Sequence, residues 1–231
     1  MRMCILYGGI SKEREVSINT GKAIYSSIKD QYNVSKYDFD GDYDKLYKQI
    51  KSSDLVFNAL HGGDGEDGTI QNYLEENNIK FTGSNSLASK KAMDKNFTKL
   101  LCVKNKIPTP DWLTITKNGE VNPKIEKFHN KSIVIKPVDE GSSIGLTIIK
   151  NFISIENDNR WILALDKAWR GSNSIIVEEY IVGKELTVSI LGNYSLPIIE
   201  IIPSENYYDY NRKYTKGKSK YIVPASIGKQ T

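Results

Sequence analysis

The first third of the chain alternates between strand-like and helix-like periodicity, and this alternation restricts the fold more than any other feature. A helical face follows Glu13, with a small or apolar side chain at every fourth position. The order strand, helix, strand, helix predicts parallel strands with right-handed crossovers, and so a Rossmann-like α/β sheet. The helical face is Val16, Thr20, Ile24 and Ile28; the other helices are "YDKLYKQI" and "TIQNYLEENN"; the strands are "MCILY", "NVSKYDF", "DLVFNAL" and "IKFTG".

The pattern changes near residue 90 to an α+β order, in which several strands follow one another with few helices between them. We expect a domain boundary there, with a first domain at 1–90 and further parts at 91–173 and 174–231. One predicted helix, "DKNFTKLLCVKNK", should turn Phe97, Leu100, Leu101 and Val103 inward. A second, "RWILALDKAWRG", should bury Trp161, Ile162, Leu165, Ala168 and Trp169. The predicted strands are "DWLTI", "SIVIKP", "SIGLTII", "SIIVEEYI", "ELTVSIL" and "LPIIEII".

Composition excludes several classes of protein. The formal net charge is +4, and the charges of both signs are interleaved, so no nucleic-acid or membrane patch is predicted. The N-terminal apolar run is too short for a signal peptide, and "SLPIIEIIP" is too short to span a bilayer, which predicts a cytoplasmic protein. Cys4 and Cys102 have no neighbouring Cys or His residues that could complete a zinc site, and we interpret both as small buried hydrophobic residues.

The segment "SIVIKPVDEGSSIGLTII" joins two strands through a turn rich in glycine and serine. On its own it reads as an ordinary mobile hairpin. The alternative is an anion site, because Lys136 ends the first strand and the turn leaves backbone N–H groups free to face a polyphosphate. The turn residues concerned are Gly141, Ser142, Ser143 and Gly145. The chain has no P-loop motif.

Two further loops carry acidic residues beside glycines. In "HGGDGEDG" the glycines satisfy G-x-G-x-x-G, but three acids would repel a pyrophosphate, so we reject a dinucleotide site. Two interpretations stay open: the acids favour the positive end of the next helix, or the loop recognises a cationic group or positions other loops. In "GGISKEREVS" the helix dipole alone explains Glu13 and Glu15. The alternative is a ligand-binding carboxylate at the carboxyl edge of the sheet.

Taken together, these segments resemble the D-alanine–D-alanine ligase family of ATP-grasp enzymes. The matching stretches run in family order from Leu6 to Ala225 and are "YGGISKEREVS", "ALHGGDGEDGTIQ", "FTGSNSLASKKAMDK", "VIKPVDEGSSIG", "VEEYIVGKELTV", "YYDYNRKY" and "YIVPA". The resemblance implies ATP-grasp subdomains at 91–173 (central) and 174–231 (first part of the C-terminal one). It also implies peptidoglycan synthesis as the role and a homodimer formed through the first domain.

The resemblance implies an ATP site with three phosphate-binding lysines, Lys95, Lys136 and Lys213, under a flap that includes Ser143. Glu178 would accept the exocyclic amine of adenine, and Glu185 would hold the ribose hydroxyls. The remaining implied ATP contacts are Glu179, Ile181 (through its backbone) and Tyr208. Without the resemblance, Tyr180 and Ile181 read equally well as strand core.

The resemblance also implies an amino-acid site. Glu13 would bind the ammonium of the first D-alanine, linked to Ser142 and to Tyr214, and these three are the implied catalytic residues. His61, Glu66 and Gly145 would bind the amino-acid substrates. His129 has no implied role, and we interpret it as a structural histidine. The implied reaction phosphorylates one D-alanine carboxylate with ATP, and the amine of a second D-alanine then displaces phosphate.

The family's magnesium ligands and an arginine have no counterpart in the matched stretches, so we expect them beyond residue 231. On that expectation the ATP-grasp region is incomplete, and these residues alone turn over weakly or not at all. Three alternatives stay open: a non-catalytic nucleotide-binding or interaction relic, an ATP-grasp ligase for another carboxylate, and a D-alanine–D-serine ligase.

Overall fold

A computed structural model describes residues 1–117, 119, 123–203 and 219–228. The first part is a three-stranded sheet whose middle strand pairs in parallel with both neighbours, which confirms the predicted pairing. Its strands are Arg2–Gly8 (β1), Asn33–Phe39 (β2) and Leu55–Asn58 (β3), in the order β2–β1–β3. The helices around it are Arg14–Ile28 (α1), Tyr43–Ile50 (α2), Thr69–Glu76 (α3) and Ser86–Met93 (α4).

One apolar core fills this first part. The side chains of β1 from Met3 to Leu6 are buried on both faces, as expected for the central strand of a covered parallel sheet. The other large members of the core are Phe39, Leu46, Ile50, Val56, Ile70 and Leu74. Because β1 and β3 are parallel, the loops after Gly8 and Asn58 leave the sheet at the same edge, where such sheets bind ligands.

Two local predictions for this part were wrong. "IKFTG" does not form a strand, since Phe81 makes a single bridge to Val56 before the chain turns at Gly83, which has φ +109°. Helix α4 was not predicted, because it has no apolar stripe and buries none of its side chains. Its start is fixed locally by Asn85, whose side chain accepts a hydrogen bond from the Ala88 N–H at 2.8 Å.

The second part is a four-stranded sheet in which every pair is antiparallel. Its elements are Lys95–Lys104 (α5), Trp112–Thr116 (β4), Ile133–Pro137 (β5), Thr147–Ile149 (β6), Asn159–Trp169 (α6) and Ser174–Glu179 (β7), and the strand order is β4–β7–β5–β6. A separate core lies between this sheet and α6, and its members include Phe128, Ile133, Ile135, Trp161, Ile175 and Val177.

The predicted inner faces of the two helices here were partly wrong. Leu100, Leu101 and Val103 of α5 are exposed, and the buried side chain of this helix is that of Lys99. In α6, Trp161, Ala164 and Ala168 face the sheet at helical spacing, whereas Ile162, one position further round, is 63% exposed. Cys4 is buried as predicted, Cys102 is half-buried, and both thiols are free.

The remaining strands are short and antiparallel. They are Glu185–Thr187 (β8), Ile190–Leu191 (β9), Tyr194–Ser195 (β10), Ile199–Pro203 (β11) and Ser219–Ile222 (β12). Strand β11 pairs with β8 and β12, and β9 pairs with β10, so the segment predicted as one strand, "ELTVSIL", is divided in two. In the part of the chain that the structure describes, no helix has the length and apolarity needed to cross a membrane. The two separate cores agree with a division near residue 90, which stays a prediction because α4 runs across it.

Candidate active site

The glycine- and serine-rich turn joins β5 to β6 and reaches the first part of the molecule. Ser142 and Ser143 have φ of +49° and +59°, so two consecutive non-glycine residues occupy the left-handed region. This backbone turn brings the Ser142 hydroxyl within 2.5 Å of Glu13 Oε1, to which it donates a hydrogen bond. We call residues 138–146 the flap. The flap is therefore a hairpin, as the plainer interpretation held, and it also contacts the loop after β1.

Glu13 is a buried carboxylate at the start of α1, with only 2% of its surface exposed. The neighbouring loop approaches it closely, because a Cβ at Gly62 would lie 2.7 Å from Glu13 Oε2. Ser11 orders the same region: its hydroxyl donates to the His61 carbonyl at 2.5 Å and accepts from the Glu13 N–H at 3.1 Å. A burial this deep exceeds what the helix dipole alone requires, which favours the interpretation of Glu13 as a ligand-binding carboxylate.

His61 and Glu66 lie beside this carboxylate. The His61 Nε2 atom is 3.0 Å from Thr20 Oγ1, and its Nδ1 atom is 3.8 Å from Glu66 Oε1. A Cβ on Gly141 of the flap would lie 3.7 Å from Glu66 Oε2 and 3.9 Å from Glu13 Oε2. The flap therefore covers both carboxylates, and the structure brings Glu13, His61, Glu66 and Ser142 together.

The other two acids of the "HGGDGEDG" loop have structural roles. Asp67 accepts a hydrogen bond from the Thr69 N–H at 2.9 Å and so satisfies a backbone donor at the start of α3. Asp64 accepts from the Tyr43 hydroxyl at 3.1 Å. Burial, together with the negative charge of Asp64, raises the pKa of Tyr43 above its usual range. The interpretation in which these acids support the next helix agrees with the contact of Asp67, while the interpretation in which the loop recognises a cation or positions other loops stays a prediction.

Two of the three predicted phosphate-binding lysines converge at the base of the flap. Lys95 Nζ donates to the carbonyls of Val138 at 3.1 Å and of Glu140 at 2.5 Å. Burial, and then the nearby positive charge of Lys136, lower the pKa of Lys95 to about 8. Burial beside a second ammonium group disfavours the charged form of Lys95, and a bound anion would stabilise that charge.

Glu178 lies between lysines on the face of β7 that points away from the core under α6. Its Oε1 atom pairs with Lys136 Nζ, and its Oε2 atom pairs with Lys99 Nζ at 2.8 Å. Burial pushes the pKa of Glu178 upward, but the two ion pairs outweigh burial and hold the pKa below its usual value. Lys99 was missed by the sequence analysis, because one lysine in the run "TKLLC" carries no local sign of its burial.

Three other predicted site residues, Glu179, Ile181 and Gly145, have different surroundings in the structure. The Glu179 side chain pairs with Lys131 at 3.2 Å on the opposite face of β7, and Ile181 is 60% exposed, so Ile181 is not strand core. Gly145 packs on Pro137 and Ala168, where a Cβ would lie 2.8 Å from Pro137 Cγ. The contacts predicted for Ser143 and Glu185 stay predictions. Tyr208, Lys213 and Tyr214 lie outside the described residues.

Comparison with known proteins gives consistent matches. Residues 38–84 match the family model for the D-ala D-ala ligase N-terminus, and residues 101–231 match the one for the C-terminus. The D-alanine–D-alanine ligase of Aquifex aeolicus is 43% identical over 225 residues, which cover 96% of this chain and 74% of that protein.

Solved structures agree with these matches. The crystal structure of D-alanine–D-alanine ligase from Bacillus anthracis has a TM-score of 0.84 at 34% identity and covers all of this chain and 73% of that one. The structure of that ligase complexed with ATP has a TM-score of 0.82 at 32% identity, over 100% of this chain and 72% of that one. A Rossmann-like first part, an ATP-grasp region and these matches together place the chain in the D-alanine–D-alanine ligase family.

Proposed function

We propose that this chain catalyses the ATP-dependent joining of two D-alanine molecules through an acyl phosphate, as a step of peptidoglycan synthesis. The observation that carries the proposal is the hydrogen bond from Ser142 to Glu13. This bond holds the flap over a buried carboxylate. At the start of the same flap, the Val138 and Glu140 carbonyls accept hydrogen bonds from Lys95, and Lys136 lies just before the flap in the sequence. Lysines and a buried carboxylate thus lie against one flap, which supports the joining of a polyphosphate-activated acid to an amine.

On the ATP side, Lys95 and Lys136 neutralise the triphosphate, and Lys213 is proposed as a third cation. Glu178 accepts the adenine amine, and Ser143 of the flap contacts phosphate. Glu185 takes the ribose hydroxyls. The backbones of Glu179 and Ile181 line the base, and Tyr208 covers it. These assignments rest on the lysine cluster and on the family resemblance.

On the amino-acid side, Glu13 receives the ammonium of the first D-alanine. Its burial strengthens that ion pair, because little water competes for either charge. The Ser142 hydroxyl keeps Glu13 oriented and links the binding of D-alanine at Glu13 to the position of the flap. Tyr214 is proposed as the third member of this chain of contacts. His61, Glu66 and Gly145 are proposed for the side of the second amino acid.

The reaction follows from these positions. A carboxylate oxygen of the first D-alanine attacks the γ-phosphorus, and the bond from that phosphorus to the oxygen of ADP breaks. The deprotonated amine of the second D-alanine then attacks the acyl carbon, and phosphate leaves from the tetrahedral intermediate. The flap contributes by excluding water, which would otherwise hydrolyse the acyl phosphate.

Magnesium is expected from the chemistry of phosphoryl transfer, where it neutralises charge on the β and γ phosphates. Among the residues that the structure describes, no group of three or more His, Cys, Asp or Glu side chains is arranged to hold a metal ion. The described residues therefore do not fit this ion, and no step above is assigned to it.

The test is phosphate release from ATP by the full-length protein as a function of D-alanine. We expect release that depends on D-alanine and is lost in Lys136→Met. Equal release with glycine or L-alanine would contradict the substrate, and release with D-serine as the second substrate would favour the D-alanine–D-serine alternative. ATP binding without any release would favour the non-catalytic alternative. A homodimer through the first part and a cytoplasmic location stay predictions, to be checked by sedimentation and cell fractionation.

A further inference from the structure

Both carboxylate oxygens of Glu178 are paired with an ammonium group in this structure. Lys136 occupies Oε1 and Lys99 occupies Oε2. The carboxylate is 7% exposed, so water is a poor substitute for either partner. A phosphate that binds Lys136 therefore competes with Glu178 for the same ammonium group.

The two lysines that bracket Glu178 are held differently. Lys99 is 7% exposed, and its ammonium also donates to Thr109 Oγ1 and to the Pro110 carbonyl, both at 2.9 Å. All three donors of Lys99 are thus satisfied by fixed partners. Among the described residues Lys136 pairs with Glu178, and 22% of its side chain is exposed. Lys99 is therefore anchored, while Lys136 has both the exposure and the freedom to change partners.

We propose that Glu178 is a stand-in anion that holds Lys136 until a phosphate replaces it, and that Lys99 is the positioning residue that keeps Glu178 ionised and in place afterwards. A buried carboxylate that lost its only cation would have to take up a proton or move. With Lys99 on Oε2, the exchange leaves one charge pair intact and frees Oε1 to accept a donor from the ligand. This inference rests on the proposed nucleotide site.

The probe is inorganic tripolyphosphate, which carries the phosphates without a base. If Glu178 competes with phosphate for Lys136, Glu178→Gln binds tripolyphosphate more tightly than the wild type, by about fivefold or more, the low end for a charge-assisted contact. Asp111→Asn is the matched control. It also removes a carboxylate paired with a lysine, Lys127 at 2.8 Å, but at an exposed position, so its affinity should stay within about twofold of the wild type.

The role of Lys99 is tested by the number of protons that the protein takes up when tripolyphosphate binds. Calorimetry in two buffers of different ionisation enthalpy measures this number, at about pH 6, which is below the ordinary pKa of histidine. Lys99→Met should take up more protons than the wild type when tripolyphosphate binds, because Glu178 then loses its last cation. Lys127→Met removes a lysine that pairs with Asp111 and with the Trp112 carbonyl, and it should match the wild type. A purely structural role of Lys99 would lower the melting temperature without changing the proton count.

Each outcome decides the matter. Tighter binding by Glu178→Gln alone supports the exchange, whereas unchanged or weaker binding, or an equal gain in Asp111→Asn, overturns it. Equal proton counts in Lys99→Met and the wild type overturn the role of Lys99. If a variant does not fold, the carboxyl-carbon resonance of Glu178 in the wild type must shift on saturation with tripolyphosphate, and a fixed resonance refutes the exchange. Failure of the wild type to bind tripolyphosphate overturns the proposed nucleotide site as well, while binding with an unchanged Glu178→Gln affinity overturns this inference alone.

Discussion

Gly62→Ala should separate the amino-acid site from the stability of the loop that carries it. Gly62 has φ +64°, and a Cβ there would lie 2.7 Å from Glu13 Oε2. Atoms do not approach that closely without moving, so the Glu13 carboxylate must shift away from the position in which it meets Ser142. The substitution therefore strains the backbone and also displaces the group proposed to bind the D-alanine ammonium.

The two effects have different magnitudes and different readouts. The positive φ costs about 1–3 kcal/mol of the free energy of unfolding, since an L side chain rarely adopts it. Displacement of Glu13 also removes its proposed hydrogen bond to the D-alanine ammonium. Loss of a hydrogen bond to a charged group costs about 1.5–3 kcal/mol, which lowers the affinity for D-alanine by about 10- to 150-fold. Calorimetric titration of D-alanine with a non-hydrolysable ATP analogue present measures the second effect, and thermal melting measures the first.

Gly83→Ala is the matched control, because Gly83 has φ +109° but a Cβ there meets no atom within 4 Å. We expect it to lose stability to a similar degree and to keep the D-alanine affinity of the wild type. If Gly62→Ala binds D-alanine within about twofold of Gly83→Ala at comparable stability, the assignment of Glu13 to the ammonium is refuted.

Three further predictions concern the lysine cluster, the flap and the two cores. Affinity for ATP should fall as the pH rises through about 8, where Lys95 loses its proton, and Lys95→Arg should remove this dependence in a pH series of titrations. The pKa of Lys95 in the folded protein lies below its ordinary 10.5, so between about 8 and 10.5 the unfolded chain binds one more proton than the folded one. The contribution of Lys95 to the free energy of unfolding should therefore increase with pH in this range. A contribution that decreases would contradict the burial of Lys95. Ser142→Ala should weaken D-alanine binding by about fivefold or more with little change in melting temperature, and equal binding would show that the contact with Glu13 is incidental. Leu74→Ala and Ile175→Ala should each cost about 2–5 kcal/mol in urea unfolding, and if 1–90 is a domain, each should shift a different transition.

Local patterns in the sequence were enough to place most elements. Asn33–Phe39 and Tyr43–Ile50 form the strand and the helix that their periodicities predict, to the residue. The glycine- and serine-rich turn after Lys136 was recognised as a candidate anion site from its composition alone, and the resemblance to a family supplied Glu13 and Ser142. These predictions succeeded because periodicity, turn residues and motif order are properties of neighbouring residues.

Contacts between distant residues could not be read in that way. The sequence does not show that Lys99, and not the leucines beside it, is the buried side chain of its helix. The polar partners of Lys99 come from two distant segments, one with Thr109 and Pro110 and the other with Glu178. Nor does the sequence show that Glu179 turns away from Glu178, although both lie on one strand and both were predicted to bind ATP.

The sequence by itself determined the order of strands and helices, the flexible flap and the kinds of charge available for a ligand. Only the tertiary structure decided which of those charges meet, because the Ser142 hydroxyl and the Glu13 carboxylate are 129 residues apart along the chain and 2.5 Å apart in space. Burial then set their chemistry, since removal of water gives a charge its strength and obliges it to find a partner.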